Sequence, residues 1–114
     1  MNTKEKMGKK KSKEVWIGLI TVKPKPGNKF FDKNSKGAYV NILGWADRNS
    51  EFQSEVKHAL DDYHLKLVEM EDVEPLSIRQ RKFNVDSKLM DLSVEVKNTG
   101  KVRFGTFHYY NNEE

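Results

Sequence analysis

"SKLMDLSVEVKNTGKVRFGTFHYY", Ser87 to Tyr110, supports two periodicities, and the architecture of the chain turns on which one wins. Leu89, Leu92 and Val96 recur at helical spacing. Leu92, Val94 and Val96 also alternate with Ser93, Glu95 and Lys97, as on a half-buried strand. Two β-branched residues and the turn-forming Asn98-Thr99-Gly100 favour the strand, because Gly100 supplies the positive φ that a tight hairpin needs. The reading is a strand over 90–97 paired with a second over 101–110. The alternative has Ser87 capping a helix that ends at Gly100.

The preceding segments read more simply. Val15 to Val22 is rich in β-branched residues and reads as a first strand. Ala38 to Ala46 reads as a second, with Tyr39, Asn41, Leu43 and Trp45 on one face and Ala38, Val40, Ile42, Gly44 and Ala46 on the other. The smaller apolar face is expected to lie under a helix. Asp47 to Asn49 turn the chain, Ser50 caps that helix, and Gln53 reciprocates as in a capping box. Phe52, Val56, Ala59, Leu60 and Tyr63 then form its apolar stripe. A third strand is expected at about Lys66 to Asp72, and Pro75 opens a short helix reaching Lys82. The fold class is therefore α+β: a mostly antiparallel sheet of four or five strands against one main helix, ββαβ(α)ββ. The alternative is a ββαβαβ two-layer sandwich.

The 114 residues suit one domain, 14–114, preceded by a Lys-rich segment, 1–13, expected to be disordered. The formal charge of +4 is misleading about the body. Residues 1–14 hold six of the 21 basic and two of the 17 acidic residues, which leaves fifteen of each sign in the remainder. A pI near 9.2 therefore does not announce a nucleic-acid-binding body.

With no cysteine, the chain has no disulfide, thiolate metal site or Cys nucleophile. The eight apolar-rich residues of "VWIGLITV" fall far short of the roughly 20 needed to span a membrane. A cytoplasmic location and no membrane partner are expected. Glu55 and His58 have the Glu-x-x-His spacing of helical metal sites, but they and Asp62 fall opposite the apolar stripe and read as a solvated face. His64 and His108 are isolated in sequence. Phosphate-binding glycine loops and a G-x-S-x-G elbow are both missing. No enzyme activity, metal or cofactor is expected.

Two charge clusters remain. "KPKPGNKFFDKNSKG", Lys23 to Gly37, sets five lysines against Asp32 around adjacent phenylalanines, in a loop longer than a hairpin requires. Residues 61–74 set six carboxylates against Lys66 and would guard the third strand if it were a sheet edge. The candidate binding residues are Lys25, Lys29, Phe30, Phe31 and Lys33, a ring anchor flanked by charge. The expected function is a small non-enzymatic protein-binding domain of inhibitor, adaptor or immunity type. Nucleic-acid binding through the Lys-rich segment and the 23–36 loop is the alternative. Oligomeric state is not legible.

Overall fold

A computed structural model describes residues 12–111. Residues 1–11 of the expected tail lie outside the described residues. The element order is β1 (Glu14–Pro24), β2 (Gly37–Ala46), α1 (Asn49–Asp62), β3 (Leu65–Pro75), α2 (Leu76–Lys82), α3 (Ser87–Thr99), β4 (Arg103–Phe104) and β5 (His108–Tyr110). The α+β class and the antiparallel sheet are as read from the sequence. Strand order is β3-β1-β2-β4, with β5 also pairing to β2.

β1 and β2 form the spine, paired in unbroken register from Glu14↔Ala46 to Val22↔Ala38. The face carrying Ile20, Val22, Ala38, Val40, Ile42 and Ala46 is fully buried under Phe52, Val56 and Leu60 of α1. This is the small apolar face expected to take the helix. Gly18 and Gly44 make its floor shallow enough for the Phe52 ring: a β-carbon at Gly44 would stand 3.1 Å from that ring. Trp16 stacks beside Phe52 at 6.2 Å and donates its indole N–H to the Ala46 carbonyl at 3.1 Å.

The segment 87–99 is a helix, not the strand of a hairpin. Asp86 caps it by accepting the Leu89 N–H at 2.9 Å, so the N-cap is one residue before Ser87. Gly100 ends it at φ 73°, donating its N–H to the Val96 carbonyl at 2.7 Å. The physical reason lies on the second sheet face. Val15, Ile17, Leu43 and Trp45 need cover there, and α3 supplies Leu89, Met90, Leu92 and Val96, with Leu76 from α2. The single main helix is thus joined by two on the opposite face. Val94, whose β-branch argued for a strand, points to solvent at 57% exposure.

The aromatic segment 101–110 does enter the sheet, but against β2. Arg103 and Phe104 pair with Leu43 and Ile42, and His108 to Tyr110 pair with Tyr39 to Gly37. Residues 105–107 stand opposite only 40 and 41, so the strand is split by an irregularity. The start of α1 also differs from expectation. Arg48 occupies the N-cap with no side-chain cap bond, and Ser50 lies inside the first turn. Glu51 instead reaches back to accept the Asp47 N–H at 2.8 Å, and Gln53 bonds Asn49 at 2.6 Å. Glu51 also pairs with Lys13 at 3.0 Å.

β3 is the sheet edge and longer than expected. α2 is fastened to its end: Glu74 accepts from Arg79 and from Lys82 at 2.7 Å, and Arg79 also meets the Asp72 carbonyl at 2.7 Å. The Lys82 and Arg79 hydrogen bonds hold the Glu74 carboxyl below its ordinary value of 4.5. Among the described residues, no helix is long and apolar enough to cross a membrane.

Candidate functional site

The loop between β1 and β2, residues 25–36, is stitched to the body at both ends. At its start, Lys25 donates its N–H to the His64 carbonyl at 2.9 Å, and its ammonium stands 3.4 Å from Asp61. At its end, Lys36 donates its N–H to the Tyr110 carbonyl at 2.8 Å. Between them Asp32 closes a turn by accepting the N–H groups of Asn34 and Ser35 at 2.9 and 3.0 Å.

Asn28 organises the aromatic part. Its Oδ1 accepts the N–H groups of Phe30 and Phe31 at 2.9 and 3.0 Å. Its Nδ2 donates to the Tyr63 carbonyl at 2.8 Å, just past the end of α1. One side chain therefore fixes both phenylalanines relative to the helix. His64, at φ 56°, makes the turn from α1 into β3 and lays its imidazole beside Gly27.

The two phenylalanines part company. Phe31 is partly buried against the core and meets Tyr109 edge-on at 5.0 Å. Phe30 stays 46% exposed while touching Tyr63 at 5.4 Å and Phe107 at 5.8 Å. Phe104 links the set, with Tyr63 at 5.4 Å and Phe107 at 5.6 Å, and Phe107 stacks on Tyr109 at 5.9 Å. Six rings thus form one connected layer over the outer end of the α1 core. Tyr63 and Tyr109, like Phe30, remain nearly half exposed.

Beside this layer is an open cleft of about 330 Å³ lined by Gly27, Lys29, Phe30, Asp62, Tyr63 and His64. Its walls are mainly apolar, with one cation, Lys29, and one carboxylate, Asp62, on the lining. Lys29, Lys33 and Lys36 are exposed and form no ion pair among the described residues. Of the sequence-derived candidates, Lys29 and Phe30 line the cleft. Phe31 packs on the core and on Tyr109 rather than on the cleft, Lys25 is engaged by Asp61, and Lys33 stands on the Asp32 turn away from the cleft lining.

Asn28, Tyr63, Phe107 and Tyr109 were not among the candidates. Asn28 carried a readable signal: an Asn two and three residues before the paired phenylalanines can close an Asx turn on them. The other three come from distant segments, and only the fold unites them. Glu55, His58 and Asp62 are exposed, as the helical geometry implied. Among the described residues, no three His, Asp or Glu side chains converge as a metal site would require.

What these features define is an α+β domain that presents a pinned, lysine-flanked aromatic layer. No family model, curated protein or solved structure matches the chain.

Proposed function

We propose that this chain is a small non-enzymatic domain, cytoplasmic in setting, that binds another protein through the aromatic layer around Phe30. The observation that carries the reading is the pairing of exposure with rigidity. Phe30, Tyr63 and Tyr109 are nearly half exposed, yet each ring is fixed by neighbouring rings, and Asn28 ties Phe30 to the end of α1. Large apolar rings held in place lose little further freedom on association, and such rings dominate binding energy at protein interfaces. Lys29, Lys33 and Lys36, without an ion pair among the described residues, favour a partner with carboxylates near its own apolar anchor. An inhibitor, adaptor or immunity role would suit this arrangement.

Nucleic acid is the second reading, since exposed rings beside lysines can stack bases and meet phosphates. The carboxylates speak against it. Asp62 lines the cleft and Asp61 neutralises Lys25 beside it, where a phosphate chain would be repelled.

The test is affinity purification of the full chain from its native host, with and without nuclease. Wild type is compared with Phe30→Ala and with a Lys29→Gln Lys33→Gln variant, each first shown to be folded. One stoichiometric protein is expected with wild type, insensitive to nuclease and depleted about tenfold or more by either variant, the effect of losing a modest hot spot. Undiminished recovery with both variants would remove this surface as the site. Nuclease-sensitive recovery with steep salt dependence would transfer the function to nucleic acid.

A further inference from the structure

β3 is an edge strand of 11 residues that pairs with β1 alone among the described residues. Arg79 covers the Asp72 carbonyl at one end. Between Lys66 and Glu71, no hydrogen bond among the described residues reaches the outer backbone. The two sides of this edge differ sharply. On the α1 side, Leu67 and Met70 are only partly buried against the core. Val68, unpaired at a register shift, is 49% exposed. On the other side, Glu69 and Glu71 stand exposed opposite Thr21 and Leu19. The core is thus left open along one lip of the edge and lined with carboxylates along the other.

We propose that this edge accepts an extended peptide segment alternating apolar and basic residues, which adds a strand beside Lys66 to Glu71. Apolar side chains of the added strand would cover Leu67 and Met70 while its basic ones face Glu69 and Glu71, and backbone bonds would satisfy the open edge. A second copy of this chain is disfavoured in the register centred on Met70. Antiparallel pairing centred on Met70 would set Glu69 against Glu71 twice, and like charges directly opposite are destabilising. The same carboxylates that oppose pairing in that register favour a basic strand. The register shift at Val68 confines regular pairing to short stretches, which suits a weak, reversible contact. This inference is independent of the aromatic layer.

The probe is a capped seven-residue peptide of alternating lysine and valine, titrated into the full-length isotope-labelled chain and followed by amide resonances. Shifts centred on residues 66–71 are expected. A Glu69→Lys Glu71→Lys variant should weaken binding about tenfold or more, since the reversed charges now face like charge. Phe30→Ala should leave binding unchanged, which separates this surface from the one proposed above. A peptide of the same composition with its lysines and valines in separate blocks, and one N-methylated along the pairing edge, should both bind at least about tenfold more weakly. Equal binding by either control would reduce the effect to charge attraction and overturn the proposal. So would the absence of shifts, or shifts centred elsewhere.

Discussion

Replacing Asn28 by Ala removes three hydrogen bonds. Two are the acceptors for the Phe30 and Phe31 amides, and one is the donor to the Tyr63 carbonyl. Each such bond contributes about 0.5–1.5 kcal/mol net, and partial solvent access places these toward the low end. The expected loss is about 2 kcal/mol, or a melting temperature lowered by roughly 8–10 °C for a domain this size. Asn28→Asp separates the two functions. It keeps both acceptors but turns a donor into a carboxylate facing the Tyr63 carbonyl, so it should cost at least about 1 kcal/mol. Urea denaturation measures the global effect. Hydrogen exchange at the Phe30 and Phe31 amides measures the local one, and both amides should exchange faster in Asn28→Ala than in Asn28→Asp. Unchanged exchange at those two amides in Asn28→Ala would refute the idea that Asn28 holds the loop.

Three further outcomes follow from the fold. Gly100→Val should destabilise the chain by about 2 kcal/mol and Gly100→Asn by less, because the nearest atom to a new β-carbon is 4.0 Å away and the cost is purely that of positive φ; denaturation midpoints of the two variants check the order. Glu51→Ala should cost about 1 kcal/mol while Ser50→Ala stays within about 0.5, since the start of α1 relies on the Glu51 bond to Asp47 and no cap bond is made at Ser50; chemical denaturation distinguishes them. Glu74→Gln should destabilise the chain at neutral pH, with the gap closing in acid. The folded-state pKa of Glu74 is depressed, so its contribution is complete above the unfolded value and is lost as pH falls through the folded one; urea midpoints from pH 7 to pH 3 trace the window.

The first strand was legible from its β-branched residues, the second from its alternating faces, the first helix from its apolar stripe, and the edge strand only approximately, from a weak alternation that a register shift at Val68 interrupts. Segment 87–100 shows two periodicities, and the choice between them is not local. Gly100 has the positive φ expected of it, but that conformation ends a helix as readily as it closes a hairpin. The deciding signal lay 40 to 70 residues upstream, in the second face of the spine. Ile17, Leu43 and Trp45 are too apolar to face water, so a second helical layer was required to cover them. The same non-locality governs the aromatic site. Phe30 and the loop lysines stand out in the sequence, whereas Phe107 and Tyr109 join them because β5 pairs with the start of β2, beside the loop, and Tyr63 because Asn28 ties the loop to the end of α1. Ser50 was misassigned for a different reason. Capping boxes allow several registers, and here Glu51 reaching back to Asp47 replaces a hydroxyl cap.

The pinned loop also bears on how a partner would be bound. Ordering a free backbone costs about 1–2 kcal/mol per residue, so a flexible segment of the length of residues 25–36 would offset most of what a few ring contacts contribute. Here the ordering has already taken place during folding. Asn28 and Asp32 satisfy four backbone amides within the loop, His64 and Tyr110 accept the amides at its two ends, and Phe31 is wedged against Tyr109. A partner would meet a surface whose rings are set in advance, and association would be limited by orientation and charge rather than by loop closure. Truncating Phe30 should then raise the dissociation rate, while neutralising Lys29 and Lys33 should chiefly slow association and flatten its salt dependence. Loosening Asn28 should weaken binding even with every contacting ring still present, because the ordering cost returns at the moment of association. Kinetics measured by surface-immobilised binding with the purified partner would separate the three effects. If Asn28→Ala bound as tightly as wild type while Phe30→Ala did not, the ring alone would carry the interaction and the stitching of the loop would serve stability only.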